Sequence, residues 1–442
     1  MTTFPWKTFA APLAAMCSNL VAGAHVKCEN GKQIINQNNG RKFRILVVGS
    51  GLTGCLTTLR IRQRLKCSHV INHHQKNQVD LHVVERASYP AGRFGAMAKC
   101  QSTIIADIGA QVLSTLNPND CRARGGHGVS MEDIQLADEI VRDLESDGLL
   151  DAVASEQLLG ETSERMVWEG LWRHYYAPMG MNSILRSLLD KSNVVPSYGV
   201  RVDEIGALGD SIQVYGKARR QSADRSSQTT FSEQYDCVVL CVPSHDALAT
   251  YVSKFLSKEA RHVLENVGYD QRTCEAHFFS AEFRPILAKV MDERYELTVD
   301  NDKIEYISWQ DPKRGITDMV MSQPCSLVVH GQAGLLEPLA ESLDSTLSKL
   351  TALSKEKIQS YRIHEKSIRW EVSQMITPME AVVADPPTNW QCLRGGKNGE
   401  IIVAGDFMTQ SSYLGCVATA DAAARAVVEV IEQDLYRQSQ NT

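Results

Sequence analysis

Apolar positions along this chain follow two periods, one of strands and one of helices. Ile45-Leu46-Val47-Val48 is an unbroken apolar run, which predicts a strand buried on both faces, as in a parallel sheet. Residues 55–61 continue it as a helix, and Val79–Arg86 predicts a second strand that ends on an acid. Between Met131 and Leu144 the apolar residues Ile134, Leu136, Ile140, Val141 and Leu144 fall on one side of a helix. Ser183–Leu189 predicts a further helix, Val194–Ile205 a strand element, and Tyr235–Pro243 a return to a buried strand. From 247 to 395 strands and helices alternate. His277–Ser280, Tyr306–Trp309 and Ser326–His330 have strand character, and Leu335–Leu353 reads as helical. Ile401–Asp406 predicts a last buried strand, and a helix follows over Gly415–Gln433.

Glycine spacing adds chemistry to the first of these strands. Gly49, Gly51 and Gly54 have the G-x-G-x-x-G spacing between a strand and a helix, the context that gives this motif meaning. Gly49 suits a tight turn, Gly51 a close approach of backbone to a pyrophosphate, and Gly54 close helix–strand contact. The phosphate would lie on the helix N-terminus beside Thr53, where unpaired N–H groups favour an anion. Glu85, ending the second strand, is placed to hold the hydroxyls of a ribose. It comes later than the usual offset of about 20 residues, and the polar piece Cys67–Gln78 reads as the loop insertion responsible.

Composition narrows the class. A chain of 442 residues is expected to divide into two domains. A net charge of −6 argues against a nucleic-acid surface. The 12 cysteines lack C-x-x-C pairs and read as reduced thiols, with no metal-ligand spacing among them and the histidines. Cys237 and Cys241 fall on one face of a strand and read as core. Residues 1–43 read as an N-terminal extension, disordered or targeting. Their apolar stretch Phe9–Val26 is interrupted by Ser18 and Asn19, which speaks against a membrane span. Ala22-Gly23-Ala24 would suit a signal-peptide cleavage site, but the preceding run is poor in Leu and has only Lys7 for charge. A cytoplasmic protein is therefore expected, with secretion or organellar import as the alternative.

The run Glu85-Arg86-Ala87-Ser88-Tyr89-Pro90-Ala91-Gly92-Arg93 resembles the E-R-x-x-x-x-G-G-R segment of the flavin amine oxidases and their relatives, with Ala91 in place of the first paired glycine. Thr103–Gln111 resembles their D-x-G-A-Q segment. Within that group the chain resembles the renalase family over four further stretches: Tyr176–Ile184, Ser326–His330, Arg369–Gln374 and Phe407–Cys416. The matches run in the family's order from Phe43 to about Glu432; residues 1–42 and a linker near Ala218–Thr230 stand outside them.

The resemblance implies an α/β, two-domain glutathione-reductase-like FAD fold. Residues 44–120, 195–246 and 396–436 would make a discontinuous FAD-binding domain. Residues 121–194 and 247–395 would make a substrate domain carrying a mostly antiparallel sheet. FAD would be held non-covalently by Gly49, Gly51, Thr53, Gly54, Glu85, Arg86, Gly92, Arg93, Ala110, Gln111, Val112, Val202, Gly405, Asp406 and Gly415, with Arg93 near the pyrophosphate and Asp406 at the ribityl chain or phosphate. Gln111, Trp370, Ser373 and Gln374 are the candidate substrate-pocket residues, and Tyr413 is a further pocket aromatic. The implied activity is oxidation of 2- and 6-dihydro-NAD(P) isomers to NAD(P)+, with O2 as oxidant and H2O2 as product. Two alternatives are a flavin amine oxidase acting on small amines and a non-catalytic secreted flavoprotein ligand. The oligomeric state is left open.

Overall fold

The computed structural model describes residues 41–71, 73–76, 78–90, 92–100, 104–119, 128–154, 157–158, 171–219, 228–292, 294–315, 323–377 and 391–440. Most of the N-terminal extension, together with Ala91 and Thr103, lies outside this set. Residues Arg41–Asn441 form one compact unit of mixed α/β architecture, with parallel and antiparallel sheets.

The apolar run at 45–48 is fully inside. It belongs to β1 (Phe43–Val48), at the heart of a six-stranded sheet with β2 (Val79–Glu85), β3 (Ser197–Tyr198), β4 (Cys237–Leu240), β5 (Leu393–Gly395) and β6 (Ile401–Val403). The order is β5-β6-β4-β1-β2-β3, and every pairing is parallel except β5 with β6. Val47 pairs with Val83 on one side and Val239 on the other, so the apolar residues of three strands form one layer. Such strands need cover on both faces. On one face lie α1 (Leu52–Cys67) and the end of α3 (Tyr413–Gln440), packing Ile61, Leu65, Ala423 and Val427 onto Ile45, Val47, Val239 and Ile402. On the other lies an antiparallel three-stranded sheet, Val200–Leu208, Ser211–Arg219 and Gln228–Tyr235, which contributes Ile205, Ile212 and Val214. Cys237 and Cys241 are both in the first of these layers, as core. The expected linker near Ala218–Thr230 is strand at both of its ends.

A second, five-stranded antiparallel sheet takes Glu296–Thr298, Ile304–Trp309, Cys325–Gly331, Arg272–Phe279 and Arg362–Trp370, in that order. One face carries Phe279, Leu327 and Val329 against the helices Arg284–Met291 and Ala340–Thr351. The opposite face turns Cys274, Ala276, Phe278 and Val328 toward Ala98, Ala106 and Ile108.

Helix positions follow the patterning, with ends set by caps. The Met131–Ser146 helix starts at Ser130, whose hydroxyl accepts from the Asp133 N–H while Asp133 accepts from the Ser130 N–H, a capping box. α2 (Met181–Ser192) starts two residues before the expected Ser183 because Asp107, distant in sequence, accepts the Met181 N–H. The helix expected over Leu335–Leu353 is confined to Ala340–Thr351. The polar piece Cys67–Gln78 holds a single helical turn, His73–Lys76. Among the described residues no helix is long and apolar enough to cross a membrane.

Candidate functional site

The loop after β1 is shaped by steric exclusion. Gly49 has φ +98, and a Cβ there would come within 2.5 Å of the Cys241 carbonyl oxygen. A Cβ on Gly54 would lie 2.0 Å from the Gly49 carbonyl oxygen. Gly51 is the N-cap of α1, in extended conformation and with no side-chain cap, and the first turn carries no acid. The result is a helix N-terminus without a side-chain cap of its own. Gly92, at φ +65, lies over this loop; a Cβ there would be 3.3 Å from the Gly51 Cα. Thr53 is buried and directs its side chain at Cys416 in the first turn of α3.

Glu85 is buried at the end of β2. Its Oε2 accepts from the Ser50 N–H (2.8 Å) and hydroxyl (3.0 Å), and its Oε1 from the Ala87 N–H (2.9 Å). The carboxylate is thus locked against the glycine loop. Arg86 points outward to Asp246 at 3.4 Å. Val202 pairs with Gly216 and packs against the cluster that contains Val48 and Val84.

Arg93 is where three distant segments meet. Its Nη2 donates to Asp406 Oδ1 at 2.6 Å and its Nη1 to the Ser373 carbonyl at 2.7 Å, with the Tyr269 ring 5.9 Å from the guanidinium. Burial disfavours the charge, but Asp406 outweighs it and raises the guanidinium pKa. The second Asp406 oxygen accepts from Ser411 at 2.9 Å. The Arg93 carbonyl is held from the other side: Ala110 donates to it at 3.1 Å, and a Cβ on Gly109 would meet it at 2.0 Å. Gly405 and Gly415 are close approaches as well. A Cβ on the first would strike the Phe407 ring at 2.3 Å, and on the second the Gln410 carbonyl at 2.1 Å. Val112 is half-buried. Cys416 follows Gly415, and burial, reinforced by Asp406, pushes its thiol up to about 12. It is a neutral thiol at neutral pH and no nucleophile.

Ser373 and Gln374 are held by Asp270. The Ser373 N–H donates to the Asp270 carbonyl at 2.9 Å, the Gln374 N–H to Asp270 Oδ1 at 2.5 Å, and the Asp270 N–H to the Gln374 carbonyl at 2.8 Å. Trp370 is half-buried on the sheet face that looks toward Ala98, Ala106 and Ile108, opposite Arg272. Tyr413 is a core anchor, not a pocket aromatic: it is buried, and its hydroxyl donates to the Ala137 carbonyl at 3.1 Å.

Gln111 is 3% exposed and fully engaged. Its Nε2 donates to the carbonyls of Asp107 and, at 3.0 Å, Gly109; its Oε1 accepts from Gln310 Nε2 at 2.7 Å and Lys313 Nζ at 3.0 Å. Its amide faces protein groups instead of an open pocket. The partners Gln310, Lys313 and His330 escape a reading of sequence, because Gln310-Asp311-Pro312-Lys313-Arg314-Gly315 has the composition of a solvent-exposed turn. His330 stacks on Tyr306 at 4.4 Å and 13°, and its Nδ1 is 3.3 Å from Cys274 Sγ. Burial, then Arg272 and Lys313, pull His330 down to about 3, while burial pushes Cys274 up to about 12. This Cys–His pair is therefore neutral in both members at pH 7, which excludes a thiolate nucleophile.

No protein-family model matches the chain, and no curated protein matches it.

Proposed function

We propose that this chain is an FAD-dependent oxidase that converts 2- and 6-dihydro-NAD(P) to NAD(P)+, on a two-domain glutathione-reductase-like scaffold. The observation that carries the reading is the meeting of Arg93, Asp406 and the Ser373 carbonyl beside the Gly49–Gly54 loop. It joins the segment suited to a dinucleotide to the segment suited to a substrate.

The residues present fit FAD. The glycine loop turns too tightly for any side chain at Gly49 or Gly54, the uncapped α1 N-terminus suits a pyrophosphate, and Glu85 is a buried acceptor suited to ribose hydroxyls. Asp406, 6% exposed, suits the ribityl chain, and the start of α3 at Gly415 offers a positive dipole end to the flavin ring. Bound there, FAD would supply a two-electron acceptor for the hydride that O2 can reoxidise. The balance is dihydro-NAD(P) plus O2 plus H+ giving NAD(P)+ and H2O2. The chain's own part is positioning. Arg93 pins residues 373–374 to Asp406, Trp370 offers a flat apolar surface to a pyridine ring, and Ser373 and Gln374 supply polar groups at its edge. No acid–base pair is required, since the ring nitrogen drives hydride departure. The free thiols found at every described cysteine suit a reducing compartment such as the cytoplasm.

The deciding experiment mixes FAD-loaded protein anaerobically with each dihydronicotinamide isomer and with monoamines. The 2- or 6-dihydro isomers should bleach the flavin fastest, and readmitted O2 should restore the colour and release peroxide. Faster bleaching by a monoamine would replace this reading with an amine oxidase.

A further inference from the structure

The turn from Gln310 to Gly315 has no part in the reading above, yet its polar side chains are among the most buried in the protein. Gln310, Asp311 and Lys313 are each exposed by 1% or less. Burying an ammonium is costly unless its donors are all used. Lys313 uses three: Ser308 Oγ at 2.8 Å, Gln111 Oε1 at 3.0 Å and the Gln111 carbonyl at 3.3 Å. Gln310 Nε2 donates to the same Gln111 oxygen and to Ser308 Oγ. Asp311 locks the turn from below by pairing with buried Arg284 at 2.9 Å and accepting the Ser326 N–H at 3.1 Å.

This donor arrangement leaves Gln111 one orientation. An amide flip would aim its NH2 at Lys313 and Gln310, donor against donor. The oxygen must therefore face the turn, and the NH2 must face the other way, where His330 Nε2 lies 3.3 Å from it. An amide nitrogen accepts nothing, so a His330 proton on Nε2 would again set donor against donor. The imidazole proton belongs on Nδ1, toward Cys274 Sγ.

We propose that Gln111 sets the protonation of His330: held by Lys313 and Gln310 on its oxygen and by the Asp107 and Gly109 carbonyls on its nitrogen, its amide fixes the Nδ1–H tautomer of the imidazole. The tautomer does not depend on the oxidase reading above. Four charged or titratable groups bear on Lys313. Glu296 and Asp107 favour its ammonium; Arg314 opposes it, and His330 is kept neutral beside it. Burial dominates and brings Lys313 down to about 8.

The test uses the full-length protein, without added cofactor, labelled with 15N in glutamine side chains and histidine rings. In the wild type the Gln111 side-chain amide signals, assigned by their loss in Gln111→Leu, should shift with a midpoint near pH 8, and His330 should show a protonated Nδ1 and a bare Nε2. In Gln111→Leu the His330 ring should become a mixture of tautomers, whereas in Lys313→Met, where Gln310 and the two carbonyls still hold the amide, the Nδ1–H form should persist. A protonated Nε2 in the wild type overturns the proposal without any variant. So does a folded Gln111→Leu that keeps the Nδ1–H tautomer. If the wild type binds FAD but oxidises neither dihydronicotinamide isomer, the functional reading falls, and the spectra still decide the role of Gln111.

Discussion

The loop at Gly49–Gly54 is built almost wholly of backbone, whereas the turn at Gln310–Arg314 is built almost wholly of side chains. In the first, a methyl group has nowhere to go: the distances from an added Cβ to carbonyl oxygens are 2.0 and 2.5 Å. In the second, positions are held by directional side-chain bonds, several of them to partners about 200 residues away, as those of Gln310 and Lys313 to Gln111 are. A backbone site is therefore sensitive to volume and tolerant of neighbouring chemistry. A side-chain site is the reverse, because one missing partner strands a buried polar group.

The largest effect should come from the side-chain region. Asp311→Ala removes the 2.9 Å ion pair to the buried Arg284 guanidinium, and breaking a buried pair by removing one partner costs about 3–5 kcal/mol. Urea denaturation should show a loss in this range; a loss below ~1 kcal/mol would mean that the turn does not depend on its ion pair. Next comes the backbone region. Gly54→Ala forces a methyl into the Gly49 carbonyl, and overpacking of this kind costs about 1–3 kcal/mol. Flavin content after gel filtration in excess FAD should fall to near zero, and retention at native stoichiometry would break the assignment of this loop.

A test between the two extremes is Asp421 on α3, which ties α1 down through Arg60 at 2.8 Å and Arg64 at 2.5 Å. Burial raises its carboxyl pKa, but the two arginines outweigh burial and hold it below the ordinary value. Its stabilisation is present above the unfolded value of about 3.9 and lost as pH falls through the lower, folded value. Asp421→Asn should thus cost about 2 kcal/mol at neutral pH, and the gap between variant and wild type should close below pH 4 in acid–urea titrations. A gap that persists to the lowest pH would show that packing, not charge, holds the two helices. The smallest effect is Ser130→Ala, which removes a cap remote from both regions. It should cost about 1 kcal/mol, leave flavin content unchanged, and give the baseline for an ordinary surface bond.

The same contrast explains which parts of the molecule could be read from its sequence. β1, the glycine loop, α1 and Glu85 were legible because a backbone site writes itself as spacing along one short segment. Met131–Ser146 was legible from its apolar stripe. The Gln310–Arg314 turn was not, since proline, glycine and four polar residues in a row describe a solvent turn unless the partners are known. Arg93 belongs to a run that resemblance alone marks out in the sequence. Its bonds to Asp406 and the Ser373 carbonyl depend on strands that the fold alone brings together. Tyr413 looked like a pocket aromatic because its neighbours in the chain are glycine, serine and cysteine, and only helix packing reveals its hydroxyl on the Ala137 carbonyl. The early start of α2 has the same origin, because its cap is supplied by Asp107.

The strand order has a consequence for how the molecule is made. β4 ends at Leu240, but its outer neighbour β6 ends only at Val403, and α3, which covers α1, comes after that. At ribosomal rates of about 5–20 residues per second, roughly 160 residues separate the two strands, a wait on the order of 10–30 s. Throughout that interval Val238, Val239 and Leu240 present an unsatisfied apolar edge. A chain that ends before Ile401 lacks β6 and leaves this edge of the sheet open. The six-stranded sheet is accordingly completed only by the finished chain.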